Sequence, residues 1–405
     1  MKNKNVKKKL VALFLSFSLL SIHILSPINA SAAGNLAFSV GCNYPGGEST
    51  ERDATSSSMY YGLCGYSSRY TSEPTLGVLR GSHNGTRFME SDIIMLSGHG
   101  NSGGIYFESV DTGADFWVTT NTAADTQNNI LLQFHYTMNN VKLIIFDGCE
   151  TALEPENCAS IVVNSGCKAA IGWTVNVGFD CMYEWKNKFN NYLATGNTIS
   201  NAIRLANSFN YGDNSCKSYR LYGIGDQVLK LARTNNEASL DSSNLNDDSR
   251  IVNKTVEKDV LQNKNTIEKL LKTTFSEYSF EDFRIDASMQ DDGSGVITVV
   301  EKIGDFYTDN AYVIFYDGNK VTEIFNRVET AINITEYSQD YFVAPLVNGK
   351  AILSETRNNI SSKYKVLEQG YELRFDVETG EKYYYTRTVI EYNGAKSVIN
   401  NKHII

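Results

Sequence analysis

The chain is short of basic residues, of metal-ligand spacings and of long apolar runs, and each shortage removes a class of function. Its 405 residues carry 37 Lys and Arg against 46 Asp and Glu, a formal charge of −9. Without the five lysines of residues 1–32, 32 basic residues face 46 acidic ones, a formal −14. Nucleic-acid binding needs basic surface, so it is excluded as the main role. No Cys-x-x-Cys or His-rich spacing indicates structural zinc, and no loop matches an EF-hand, so neither a metal nor a cofactor is expected. After Leu25 no stretch is long and apolar enough to cross a bilayer. Stable membrane insertion is therefore not expected.

Residues 1–32 read as a secretory signal peptide. Lys2, Lys4, Lys7, Lys8 and Lys9 come with no acid, Leu10 to Leu25 is mostly apolar, and Ala30-Ser31-Ala32 is a small-residue cleavage site. Cleavage after Ala32 would deliver a secreted, extracellular chain. An uncleaved anchor fits less well, because the apolar run is short for a spanning helix. No Cys near the site suggests a lipid anchor.

Two stretches organise the rest. Ile93-Ile94-Met95-Leu96-Ser97-Gly98-His99-Gly100 and Leu143-Ile144-Ile145-Phe146-Asp147-Gly148-Cys149-Glu150-Thr151 are short apolar runs that end in small and polar residues. Each reads as a buried strand of a parallel sheet. In open α/β sheets the ligand crevice lies just beyond the carboxyl ends of the strands. A His and a Cys delivered there can meet, although 50 residues separate them in sequence. An imidazole can take the proton of a thiol and create a nucleophile. The backbone N–H groups of Gly100 and Cys149 could hold the oxyanion, with Gly98, Gly100 and Gly148 letting substrate approach the backbone. The bland alternative makes Cys149 a buried small hydrophobe and His99 a satisfied turn residue.

The Ser-Gly-His-Gly and Asp-Gly-Cys motifs resemble those of the caspase-like cysteine peptidases, the caspase, metacaspase, clostripain and separase group. The resemblance spans about residues 36–232. Ser97-Gly98-His99-Gly100 and Asp147-x-Cys149 are metacaspase-like, and Cys149-Glu150-Thr151 is similar to the CHAT branch. The resemblance implies a caspase-like, mostly parallel α/β sheet with flanking helices. It also implies a Cys149–His99 dyad acting on protein or peptide substrates.

Metacaspases begin with a strand, an Asn-Tyr turn and a helix carrying Asp-Ala, as do Leu36 to Pro45 and the helix expected here from Glu48 to about Leu63. On that likeness Asp53, Ser97 and Asp147 match the substrate-pocket positions, and two carboxylates suit a Lys or Arg side chain before the cut. Helix-start and strand-end chemistry are the ordinary readings of the two acids. Trp173, in Ala170-Ile171-Gly172-Trp173, matches a pocket rim, with a core tryptophan the equal alternative. Phe116 and Trp117 lie in a stretch, 108–121, that reads as a polar loop and a candidate substrate wall.

The remaining elements of residues 33–233 alternate strand and helix in a doubly wound order. Helices are expected over about 123–138, 154–163, 179–195 and 198–209, with strands at 168–173 and from 219 onward. His135 reads as a helix-surface residue. All seven cysteines lie between Cys42 and Cys216. Apart from Cys149, the six could form three disulfides or stay as free buried thiols.

Residues 234–250 lack aromatics and periodicity and read as a linker, bracketed by Arg233 and Arg250. These arginines are candidate self-cleavage sites or ordinary flanking charge. Residues 251–405 hold a helix with an apolar face and then hairpins around Asp317-Gly318-Asn319, Glu378-Thr379-Gly380 and Asn393-Gly394. A smaller C-terminal antiparallel α+β domain is expected, an inhibitory or binding module that could contact the active site. The reading is a secreted cysteine endopeptidase cutting after Arg or Lys. The alternatives are a catalytically silent caspase-like binding module and a cell-surface interaction protein.

Overall fold

The computed structural model describes residues 35–45, 48–81, 88–125, 127–132, 138–231, 249–256, 261–290, 292–328, 342, 344 and 349–405. The leader, His135, Arg233 and linker residues 234–248 lie outside them. The N-terminal half runs β1 (Leu36–Val40), α1 (Glu51–Leu63), β2 (Ser67–Thr71), α2 (Leu76–Arg80), β3 (Ile93–Ser97), β4 (His99–Asn101), β5 (Gly104–Glu108), β6 (Asp115–Thr119) and β7 (Ile130–Leu131). It continues through β8 (Leu143–Asp147), α3 (Cys158–Asn164), β9 (Ala169–Trp173), α4 (Phe179–Ala194), α5 (Ile199–Asn207) and β10 (Tyr219–Gly223). Then come β11 (Ser249–Thr255), α6 (Lys264–Thr274), β12 (Asp282–Met289), β13 (Gly295–Ile303), β14 (Phe306–Asp317) and β15 (Lys320–Arg327). The chain closes with α7 (Gly349–Asn359), β16 (Lys365–Phe375), β17 (Lys382–Tyr392) and β18 (Ala395–Ile404).

The fold is α/β, built around a six-stranded, mostly parallel sheet in the order β10-β9-β8-β3-β1-β2. Only the edge strand β10 runs antiparallel, against β9. Every residue of β3, β8 and β9 is buried, as expected of strands covered on both faces. Alternate residues feed opposite layers. Ile93, Met95, Leu143, Ile145 and Ile171 pack with α1, α4 and α5. Ile94, Leu96, Ile144, Phe146 and Ala170 pack with α3 and with Ile105, Phe107, Phe116 and Val118 of β5 and β6.

The second sheet joins the two halves of the chain. Its order is β11-β15-β14-β16-β17-β18-β4-β5-β6-β7, with β13 pairing β14 and β12 pairing β13. The expected separation at 234–250 therefore does not divide the hydrogen-bonded structure, because β18 pairs with β4 and Lys396 lies opposite Gly100. Ser249 and Arg250 already belong to β11, on β15. Within the C-terminal half, Ile267, Leu270 and Leu271 of α6 cover Ile297, Val299, Ile314 and Ile324 of the sheet. The last hairpin turns on Asn393 (φ 49°) and Gly394 (φ 79°), the left-handed pair that a two-residue turn requires.

Two expectations change. Residues 123–138 do not form one helix: Ile130–Leu131 is strand β7, parallel to β6. Asn121 and Asp125 accept from the N–H groups of Ala123 and Gln127, and Asn129 accepts from Trp117 N at 2.8 Å. These side-chain turns take the hydrogen bonds a helix would use. Residues 108–121 are not all loop, since 115–119 is β6 and Phe116 is buried in the core. Of the two readings left open for the cysteines, free buried thiols hold: all seven are free and buried.

Trp173 is core rather than rim. It is wholly buried, meets Trp185 edge-on with ring centroids 5.4 Å apart, and donates Nε1–H to Cys216 O at 2.7 Å. Trp173→Ala is expected to cost about 3–5 kcal/mol, as truncated core aromatics do. Urea unfolding measures this, and an unchanged midpoint would return Trp173 to the surface.

Candidate active site

The parallel pairing of β3 with β8 brings the two motifs together. The register is Ile93↔Leu143 through Ser97↔Asp147, and Gly98 N donates to Asp147 O at 3.0 Å. His99 and Cys149 therefore lie equally far past the last paired residues, on neighbouring strand ends. The glycines make this approach feasible. A Cβ on Gly100 would stand 2.7 Å from Cys149 O and 2.9 Å from Cys149 N. One on Gly98 would run into the Tyr44 hydroxyl. What these glycines admit here is neighbouring backbone and Tyr44, where the sequence suggested substrate.

The turn after Cys149 is held tightly. Glu150 takes a left-handed φ of 58°, uncommon for a residue with a Cβ. Glu150 N donates to Val175 O at 3.0 Å, and the Thr151 hydroxyl donates to Phe146 O at 2.9 Å. Trp173 N donates back to that hydroxyl at 3.1 Å, which ties the turn to β9.

Cys149 is 2 % exposed. Val177 N donates to its sulfur at 3.4 Å, and the thiol donates to Val177 O at 3.6 Å. Burial pushes the thiol up to about 12, against the smaller opposing effect of the Val177 hydrogen bond. The group is a thiol at neutral pH in this arrangement.

His99 is 3 % exposed. Its Nε2 lies 3.3 Å from Glu48 Oε2, and neither ring nitrogen has a hydrogen-bond partner, so no hydrogen bond joins it to Cys149. The Tyr44 ring packs against it tilted by 48° at a centroid distance of 4.0 Å; its hydroxyl accepts from His99 N at 3.1 Å and donates to Tyr106 O at 2.7 Å. An acid and an aromatic ring thus flank the imidazole, and the Tyr44 hydroxyl holds its backbone. Nothing in the sequence singled out Glu48. Tyr44 belongs to the Asn-Tyr turn that carried the resemblance.

Asp53 of α1 and Asp147 of β8 do converge, but on a side chain of the same molecule. Lys186 of α4 forms ion pairs with both carboxylates. All three are buried, Lys186 completely. Burial raises Asp53 from 3.8 to about 6, with Asp147 adding to the rise and Lys186 opposing it. For Lys186, burial lowers the pKa, yet the charges of Asp147 and Asp53 outweigh it and hold the ammonium above its ordinary value. Ser97 is buried close by, and its carbonyl accepts from Thr50 Oγ1 at 2.8 Å. The signal for Lys186 was present. It falls on the same buried stripe as Met182, Trp185, Phe189 and Leu193. A lysine on such a stripe must have buried acidic partners.

The C-terminal half covers this ground. Lys396 of β18 donates to both Glu150 carboxylate oxygens at 2.9 and 2.8 Å, one residue past Cys149. Val398 bridges Gly178, and Val398 and Val389 share an apolar cluster with Cys149 and Val177. Arg387 donates to Asn176 O at 3.0 Å. On the other flank the Tyr364 ring lies 6.2 Å from the His99 ring, and its hydroxyl donates to Pro45 O at 2.7 Å. Among the described residues no group of three or more His, Cys, Asp or Glu is arranged to hold a metal ion, and no helix is long and apolar enough to cross a membrane.

Asp53 holds its proton to higher pH in the folded chain than in the unfolded one. Its contribution to stability is therefore complete below about pH 4 and lost as pH rises through about 6. Asp53→Asn is expected to flatten the urea-midpoint curve across that window. A slope equal to wild type would remove Asp53 as its source.

No protein-family model matches this chain, and no curated protein matches it in sequence.

Proposed function

We propose that the chain is a secreted cysteine endopeptidase of caspase-like type, with Cys149 as nucleophile and His99 as general base. The observation that carries the reading is the in-register pairing of β3 and β8, which ends both motif strands level at the carboxyl edge of a parallel sheet. The basic start and apolar run of residues 1–32 support secretion.

In the proposed reaction His99 takes the Sγ proton, and the thiolate attacks the scissile carbonyl carbon. The backbone N–H groups of Gly100 and Cys149 are the candidate donors to the resulting oxyanion. The imidazolium returns its proton to the leaving amine as the C–N bond breaks, leaving a thioester on Cys149. Water, deprotonated by His99, then releases the acid and the thiol. Glu48 beside Nε2 would steady the imidazolium.

The folded chain is read as a latent form. Cys149 is protonated, buried and bonded to Val177, and β18 with Lys396 closes the edge where a substrate would lie. Those same facts favour the second reading, a silent binding module whose pocket is closed for good.

Alkylation of Cys149 in the intact chain, followed by mass spectrometry, separates the cases together with hydrolysis of fluorogenic peptides. Lys396→Glu sets like charges against Glu150 and is expected to speed alkylation about tenfold or more, on the order of 1.4 kcal/mol per decade. Hydrolysis should rise in parallel and vanish in Cys149→Ala. Faster alkylation with no cleavage of any peptide would turn the assignment to the binding module. Rapid alkylation of wild type would end the latent-form account.

A further inference from the structure

Lys186 has no part in the proposed chemistry, yet it sits where two acids converge, one of them two residues ahead of Cys149. We propose that Lys186 is an internal occupant of the Asp53–Asp147 pair and makes the site selective for an uncharged residue before the scissile bond. The inference rests on the peptidase reading and refines its substrate class.

The geometry is specific. Asp147 stands two residues ahead of Cys149, and Asp53 reaches the same point from α1. Two converging carboxylates, one of them two residues ahead of a nucleophile, would suit a guanidinium or ammonium on the substrate. Lys186 delivers an ammonium to both, off the buried face of α4. Arg52 Nε lies 4.0 Å from Asp53 Oδ2, so a second cation already stands near the pair.

A substrate cation would have to enter beside the Lys186 ammonium, and like charges in a buried site repel strongly. It would also have to displace a side chain that is entirely covered. Withdrawing Lys186 would leave two buried carboxylates without their partner, which is costly. An uncharged side chain faces neither obstacle.

Two measurements on the full chain test this, each made also in the Lys396→Glu background. The first maps the cuts made in a mixed peptide pool by mass spectrometry. Wild type is expected to cut after uncharged residues. Lys186→Ala should raise the share of cuts after Arg or Lys at least tenfold, and Lys186→Arg, which refills the pair, should stay with wild type. Wild-type cuts after Arg or Lys that Asp147→Asn abolishes overturn the inference and leave the peptidase standing.

The second measurement needs no activity. Lys186→Ala lacks a propylammonium's worth of side chain. Added n-propylammonium should raise its melting temperature where tetramethylammonium at equal ionic strength does not, and wild type should not respond. The absence of that rescue overturns the pair as a seat for a cation. Rescue without any Cys149-dependent cut supports the seat and sinks the peptidase reading instead. If Lys186→Ala does not fold, Lys186→Gln keeps an amide donor between the acids. It should shift the cuts in the same direction, more weakly, and no shift counts against the inference.

Discussion

The parallel pairing of β3 with β8 is the constraint on which the candidate site depends. Side chains alternate along a strand, so a slip of one residue would exchange the faces of every residue in the pair. That register is secured by burial on both sides. Ile94, Leu96, Ile144 and Phe146 fill one layer, while Ile93, Met95, Leu143 and Ile145 fill the other. Once Ser97 stands opposite Asp147, the short glycine-flanked extensions leave His99 and Cys149 little choice of place. The close approach of Gly100 to the Cys149 backbone then fixes the spacing of the two ends. The local chemistry is in this sense a consequence of a hydrophobic pattern several residues away.

Much of this was legible. Apolar runs with sharp polar ends mark β3, β8 and β9, 3.6-residue periodicity marks α4 and α5, and start and stop residues mark α1, all close to their observed limits. The Asn-Gly turn before β18 is a local signal and is seen as such. Interactions between distant residues were not legible. Nothing local says that Lys186 meets residues 39 and 133 positions away, although its place on a buried stripe announces that some acid must. Trp173 looks the same in sequence whether it lines a rim or fills a core, and only the neighbouring Trp185 and Cys216 decide. The stretch around β7 failed for another reason. Asn and Asp side chains there bond locally to backbone N–H groups, and that competition with the helix leaves no trace in a hydrophobic pattern.

The buried charges carry a structural consequence as well as a chemical one. Three elements, α1, β8 and α4, each supply one member of the Asp53–Lys186–Asp147 set. Taking such groups out of water costs several kcal/mol per ion before their attraction is counted. Well-packed apolar residues would serve stability at least as well. What the charged set adds is discrimination: a lysine with two acids accepts few alternative packings, whereas an apolar stripe can shift along its neighbour. The raised pKa of Asp53 shows that the compensation is incomplete at that carboxylate.

The contact between the two halves has a different character from the cores beneath it. It holds ion pairs, Lys396 with Glu150 and Lys363 with Glu108, and a few apolar residues such as Val389 and Val398. It also holds space. A cavity of about 570 Å³ lies between Asp213 and Lys217 on one side and Arg284 and Arg374 on the other. A second, of about 240 Å³, adjoins Glu48 and Tyr364. Protein cores are packed nearly without voids, and loss of contact atoms weakens cohesion. Polar, cavity-bearing seams resemble the interfaces across which domains move. The strand pairing of β18 with β4 amounts to a single register pair, against ten between β17 and β18. The cover over Cys149 is thus paired to β4 far more sparsely than its own strands are paired to one another.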